Sequence, residues 1–63
     1  MSELPENYER VLEEALSRKK TSPVRYECMR KRIAAVLEGN PYEEFADWTP
    51  EQAQKLQNDL DQQ

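Results

Sequence analysis

Seven basic side chains lie between residues 18 and 32, and they form the part of the sequence best suited to hold an anion. Together with the single acid Glu27 they give this segment a formal charge of +6, whereas the segments before and after it carry −4 and −6. Clustered cations attract phosphate groups, so the pattern predicts nucleic-acid binding as one function. The basic residues are Arg18, Lys19, Lys20, Arg25, Arg30, Lys31 and Arg32.

A structural role for the same cations is favoured by their positions on the predicted helices. Residues 18–20 fall in the last turn of a helix, where positive charge complements the helix dipole. On the next helix, Arg25 and Arg32 flank one side of the apolar stripe. Arg30 lies on the other flank and Lys31 points away, so these cations do not share one face. Because the net charge of −4 also opposes phosphate binding, we expect mainly helix stabilisation and ion pairs, with nucleic-acid binding as the alternative.

Three aromatic side chains, Tyr42, Phe45 and Trp48, follow at intervals of three residues. Exposed aromatic residues anchor protein partners, and Arg25 and Arg32 would then be rim charges that steer association. In a chain with few large side chains, the same cluster can instead close the open end of a helical hairpin as a lid. The two interpretations are compatible if Trp48 is half covered.

Cys28 is the single cysteine, and it lies one helical turn from both Arg25 and Arg32. Neighbouring cations favour the thiolate and would make this thiol reactive. A lone cysteine in an amphipathic helix is more commonly a small buried hydrophobic residue, and that is our expectation here. One cysteine can form neither an internal disulfide nor a cysteine-rich zinc site.

The remaining composition argues against catalysis. The sequence has no histidine, the commonest general base and zinc ligand, and its one glycine is too few for a glycine-rich phosphate loop. Adjacent carboxylates such as Glu13 and Glu14 point about 100° apart on a helix, so they do not form an acid–base pair. We predict that the protein is not an enzyme and has no catalytic residue, cofactor or metal site.

Residues 1–6 are acidic and unlike a secretory signal, and no apolar run approaches the roughly 20 residues that span a bilayer. The single cysteine suits a reducing compartment, because small secreted domains rely on several disulfides. We therefore expect a cytoplasmic protein that does not enter a membrane.

Proline residues mark where the helices begin. The pairs Ser22–Pro23, Asn40–Pro41 and Thr49–Pro50 each place a capping side chain before a proline that suits the first helical position. Pro5 suits the first turn of an earlier helix, and Gly39 suits the end of the second. The sequence thus predicts one domain over 1–63, with a turn at 20–22 and helices over about 5–19, 23–38, 41–46 and 50–60.

Apolar side chains recur at helical spacing, which predicts an all-α fold: a small antiparallel helical hairpin, a short helix and a third longer helix. A second apolar line on helix two, formed by Val24, Cys28 and Ala35, needs a further neighbour. The stripes are Tyr8, Val11, Leu12, Ala15 and Leu16 on helix one, Tyr26, Met29, Ile33, Val36 and Leu37 on helix two, and Ala53, Leu56 and Leu60 on the last.

The thin core and the extra apolar line together predict association. We expect a two-fold homodimer through the first two helices, with the second apolar line as the contact. We also predict that the chain binds another protein, as a small non-catalytic regulator, inhibitor, adaptor or accessory subunit. Nucleic-acid binding through residues 18–32 is the alternative function.

Overall fold

The computed structural model describes residues 4–63, and within that range the fold is all-α. The helices pack against one another, which confirms the predicted fold class. Residues 1–3 of the predicted domain, and the interpretation of them as no signal peptide, lie outside the described part. The elements are α1 (Tyr8–Thr21), α2 (Pro23–Leu37), a 3₁₀ turn (Glu43–Phe45) and α3 (Pro50–Gln62).

Ser22 alone separates α1 from α2, and its extended backbone ends one helix and begins the next. Its Oγ accepts a hydrogen bond from the backbone N–H of Arg25 at 3.5 Å, as its capping position predicts. The predicted three-residue turn at 20–22 is wrong, because α1 continues to Thr21. The hydroxyl of Thr21 donates to the carbonyl of Ser17 at 2.9 Å, which holds this residue on the last turn of the helix.

Gly39 ends α2 as predicted, in the left-handed conformation (φ +80°) that suits glycine. The N–H of Asn40 donates to the carbonyl of Ala35 at 3.0 Å and that of Gly39 to Val36 at 3.2 Å, which together form a Schellman motif. Asn40 therefore belongs to the end of α2 and does not cap a new helix. The predicted short helix over 41–46 is present as a single 3₁₀ turn over Glu43–Phe45, and no side chain caps it.

Helix α1 begins at Tyr8, three residues later than the predicted start at Pro5. Asn7 precedes it in the capping position, but its side chain does not cap the helix. Instead its Oδ1 accepts from Trp48 Nε1 at 3.0 Å and its Nδ2 donates to the carbonyl of Glu44 at 3.4 Å. Tertiary hydrogen bonds to residues 41 and 37 positions away thus take the place of local capping.

Both ends of α3 have hydrogen-bonding partners. At its start, Thr49 Oγ1 accepts from the N–H of Gln52 at 3.2 Å and Gln52 Oε1 accepts from the N–H of Thr49 at 2.8 Å, a complete capping box. At its end, Lys19 Nζ reaches across from α1 and donates to the carbonyls of Leu60 and Gln63 at 3.0 and 3.1 Å. The last turn of α3 has no basic residue of its own, so Lys19 complements its dipole. The helix accordingly extends two residues beyond its predicted end.

The aromatic cluster lies at the centre of the core. Trp48 stacks on Tyr8 with ring centroids 5.6 Å apart and meets Phe45 edge-on at 5.0 Å. Phe45 and Trp48 are 0% and 6% exposed, so the lid interpretation holds for both, and neither is a surface anchor as predicted. Tyr42 is 55% exposed and remains outside. The other buried apolar residues of this core are Val11, Ala15, Met29, Ile33, Val36, Ala53, Leu56 and Leu60.

A polar contact joins α1 to α3 at the edge of the core. The hydroxyl of Tyr8 donates to a carboxylate oxygen of Asp59, and Lys55 Nζ lies 3.4 Å from the same oxygen. The hydrogen bond from Tyr8 is the main cause that lowers the pKa of Asp59. Burial, followed by the hydrogen bond to Asp59, raises the pKa of Tyr8.

Replacing Trp48 with Ala should destabilise the fold by about 3–5 kcal/mol, because the change empties the centre of the core. A core of this size supplies about 3–5 kcal/mol in total, so the variant should be largely unfolded by circular dichroism. Tyr42→Ala is the matched control, since this ring is exposed, and it should cost less than about 1 kcal/mol. Equal losses in the free energy of unfolding of the two variants, measured by urea denaturation, would contradict the lid role of Trp48.

Replacing Asp59 with Asn should make stability less dependent on acid pH. A carboxyl whose pKa is lowered in the folded state stabilises the fold above its unfolded value of about 3.9, and this contribution is lost as pH falls through the folded pKa. The urea midpoint of the variant should therefore lie below that of the wild type at neutral pH, and the gap should close in acid. Asp47→Asn removes a carboxylate with no ion pair among the described residues. This variant should change neither the urea midpoint at neutral pH nor its dependence on pH. A gap that persists in strong acid would refute this role for Asp59.

Candidate functional site

Helix α2 packs its inner side against α1 and α3 and leaves its opposite side exposed. Val24, Cys28, Lys31 and Ala35 follow one another at intervals of four, three and four residues, so they lie on this same side. We call these four residues the outer face of α2. Val24 is 73% exposed, and Cys28 and Lys31 are also exposed, while Ala35 is 9% exposed beneath the chain that follows the helix. The outer face thus combines small apolar side chains with one cation.

The expected burial of Cys28 is wrong. The buried stripe of α2 is Met29, Ile33 and Val36, and a shift of one residue on a helix turns a side chain by about 100°. Cys28 therefore points out of the core although its neighbour Met29 points in. Leu37, predicted in the stripe, is 39% exposed at the last turn.

Three arginines converge at the flank of this face. Arg18, Arg25 and Arg32, together with Cys28 and Met29, line a shallow depression of about 290 Å³, which we call the arginine hollow. Arg25 and Arg32 are two turns apart on α2, a rise of about 10 Å. Arg18 reaches across from the end of α1, with Nη1 3.4 Å from Met29 Sδ. Two helices therefore supply the guanidinium groups, and the floor between them is apolar.

The three guanidinium groups differ in their partners. Arg18 Nη2 lies 2.7 Å from Glu14 Oε1, and Arg32 Nη1 lies 3.3 Å from Glu44 Oε1. The side chain of Arg25 has no hydrogen bond or ion pair within residues 4–63. Glu14 is shared with Arg10, whose Nη1 lies 3.5 Å from Glu14 Oε2. Arg25 is thus the one guanidinium of the hollow without an acidic partner in the described range.

A second depression, of about 380 Å³, adjoins the outer face at the far end of α2. Its lining includes Lys31 and Ala35 from the helix and Pro41 and Tyr42 from the chain that follows. The guanidinium carbon of Arg32 lies 5.7 Å from the centroid of the Tyr42 ring, a cation–π distance that links the two depressions. Of the three predicted aromatic anchors, Tyr42 is the one that reaches this surface.

The remaining predicted phosphate contacts lie elsewhere. Lys19 holds the end of α3, and Arg30 donates to Asp61 at 2.8 Å and to the Tyr26 hydroxyl at 3.1 Å. The hydrogen bond to Asp61 is the main cause that raises the pKa of Arg30. Lys20, like Lys31, has no hydrogen bond or ion pair among the residues described. Four of the seven cations therefore serve the fold, as the structural interpretation predicts.

Sequence reasoning missed two tertiary contacts of the basic residues. It placed Arg18 at the end of helix one without joining it to Arg25 and Arg32. The short connection at Ser22 places the end of α1 beside the first half of α2, and that proximity is the signal that could have found the contact. The reach of Lys19 to α3 has no local signal, because it depends on where the third helix packs.

Exposed apolar carbon beside guanidinium groups can recognise an anionic or apolar group on another molecule. General acid–base catalysis requires different groups, whose protonation changes near neutral pH. The depressions of 270–380 Å³ lie near the lower limit for small-molecule pockets, at about 300 Å³. Within residues 4–63, no three His, Cys, Asp or Glu side chains are grouped to hold a metal ion, and no helix there could cross a bilayer.

The chain matches no protein-family model, no curated protein and no solved structure. Any functional conclusion therefore depends on its own geometry. The outer face of α2 and the two depressions beside it are the surface on which that conclusion can be built.

Proposed function

We propose that this protein is a small non-catalytic interaction module that binds another protein through the outer face of α2. The observation that supports the proposal is that exposed Val24, Cys28 and Tyr42 lie along or next to the outer face, whose flank carries the unpaired Arg25. A partner that covered this surface would bury apolar carbon and supply a counter-charge at once. A regulator, inhibitor, adaptor or accessory subunit, acting in the cytoplasm, fits this description.

The size of the molecule is compatible with such docking. A standard protein interface covers about 800 Å² on each partner, and the accessible surface of this chain is 4639 Å². One interface would therefore cover roughly a sixth of the surface. The outer face together with its two flanking depressions runs the length of a 15-residue helix, about 22 Å, which is a suitable extent for that area.

Nucleic-acid binding through residues 18–32 stays the alternative, and the geometry supports it less. The three cations without partners in the described range, Lys20, Arg25 and Lys31, line three different depressions. Each phosphate contact adds about 0.9 to the slope of log affinity against log salt, so three scattered contacts give weak binding. Gel shifts with duplex DNA and RNA at low salt test this alternative, and a retarded band that fades steeply with salt would favour it.

A homodimer through α1 and α2 also stays a prediction. A two-fold axis places one patch against the same patch of a second copy. A contact through the outer face would then bring Arg25, Lys31 and Arg32 of one copy close to the same group of cations on the other, which opposes association. For this reason we propose a different protein as the partner. Light scattering at micromolar concentration separates monomer from dimer.

Replacing Val24 with Glu should abolish capture of the partner from a host lysate and leave the fold intact. The charge disrupts an apolar contact, yet an acid in the first turn of α2 suits the helix dipole. Ser17→Glu adds the same charge to an exposed position on α1, and this variant should capture the partner as the wild type does. The partner should also be recovered equally with and without nuclease.

Two results would contradict the proposal. Equal recovery by the Val24 and wild-type proteins would remove the outer face from the interface. Recovery that disappears with nuclease would favour the nucleic-acid alternative. The melting temperatures of both variants should be measured alongside, because a loss of fold by the Val24 variant would make Tyr42→Ala the variant to compare.

A further inference from the structure

We infer that the arginine hollow, which unpaired Arg25 lines together with the ion-paired Arg18 and Arg32, receives one carboxylate from an acidic segment of the partner protein. This inference rests on the proposed function, because it concerns the same surface of α2. It adds the chemistry of the partner: a carboxylate at the hollow and an apolar side chain at the depression beside Tyr42.

The charge balance of the hollow selects a carboxylate. Three guanidinium groups line it, and Glu14 and Glu44 each pair with one of them. Arg25 alone has no acidic partner, and a single carboxylate supplies one. A phosphate group carries about −1.5 to −2 at neutral pH, which is more charge than one unpaired guanidinium can match. A nucleic-acid strand would add further phosphates with no free cation within the hollow to meet them.

The walls of the hollow are oriented before any partner arrives. Glu14 holds Arg18 at 2.7 Å, and Met29 Sδ contacts the same guanidinium at 3.4 Å. Arg32 is held between Glu44 and the ring of Tyr42. Binding therefore needs to order mainly Arg25, which lowers the entropy lost on association. Cys28 and Met29 on the floor exclude water from one side of the ion pair and strengthen it.

The distance between the two depressions sets the spacing of the partner's residues. Arg25 and Arg32 are about 10 Å apart along α2, and the centroid of the Tyr42 ring lies 5.7 Å from the guanidinium carbon of Arg32. A partner helix laid along α2 would reach both depressions with an acidic residue and an apolar residue two to three turns apart. The expected partner segment is thus amphipathic, acidic at one end and apolar at the other.

A second copy of this chain also carries acidic segments, so it must be considered as the occupant. Residues 1–17 have a net charge of −4, but docking them on the α2 face of another copy is a head-to-tail contact that does not close on itself. Each copy also carries a net charge of −4, so the copies repel one another. An acidic segment of a different protein avoids the head-to-tail contact, and that protein need not carry a net negative charge as a whole.

A peptide selection tests the inference without knowledge of the partner. A displayed library of random peptides is selected on the immobilised full-length protein, and the enriched peptides are synthesised. We expect them to carry Asp or Glu, and we expect Arg25→Gln to weaken their binding about tenfold or more. Lys20→Gln removes the same charge outside the hollow and should change the affinity by less than about twofold.

A double-mutant cycle then locates the contact. Replacing the acidic residue of the peptide with its amide should weaken binding to the wild type and have little further effect on the Arg25→Gln protein. Amide chemical shifts of Cys28 and Met29 should move on addition of the acidic peptide. Glutamate should displace the peptide from the hollow at least as well as inorganic phosphate at equal concentration.

Failure of the inference can be told apart from failure of the proposed function. The enriched peptides could need Val24 but be neutral, or be insensitive to Arg25→Gln. Either result would leave the docking face in place and overturn the inference that a carboxylate binds in the hollow. Equal weakening by Lys20→Gln would assign the effect to net charge and overturn it too. Stronger displacement by phosphate, or a dimer that Arg25→Gln dissolves, would overturn the stated occupant. If no peptide is enriched over the blank support, the docking face itself is refuted.

Discussion

The buried indole of Trp48 is the contact on which the rest of this structure depends. Its ring fills the space between Tyr8 and Phe45, and its N–H would lack a partner without Asn7. An unpaired buried donor costs about 1–3 kcal/mol, which a core this small cannot absorb easily. The hydrogen bond to Asn7 therefore sets both where α1 begins and where the chain after α2 must run. That path leaves Tyr42 outside and places Glu44 within reach of Arg32.

A consequence of this arrangement is the bare side of α2. Both other helices and the aromatic lid pack on the inner side of that helix, and all of the largest buried side chains are used there. Residues 4–63 form no fourth long element with which to cover the outer face. What remains on that face is small and apolar, Val24 and Cys28 above all, with arginines at its flank. The exposed surface is thus a result of how few residues the core can draw on.

Local signals in the sequence predicted the fold correctly where residues close in sequence determine the hydrogen bonds. Ser22, Gly39 and Thr49 act within four residues of themselves, and the structure places each in the role its spacing predicts. Asn40 is an equally good capping residue, yet the Schellman motif of the preceding helix takes it and the predicted cap does not form. Asn7, for which no cap was predicted, precedes α1 but hydrogen-bonds the distant indole of Trp48. Capping residues compete for several hydrogen bonds, and nearby sequence does not decide that competition.

The candidate site likewise has one part that the sequence could predict and one part that it could not. The spacing of Arg25 and Arg32 on one helix could be predicted, whereas the pairing of each guanidinium depends on acids in other elements. The ion pairs of Arg18 and Arg32 are partly exposed, so each contributes only up to about 1 kcal/mol to stability. Their larger effect is on the surface, since they hold the guanidinium groups of Arg18 and Arg32 in place. The same acids that stabilise the fold slightly therefore leave Arg25 as the one guanidinium of the hollow without an acidic partner among residues 4–63.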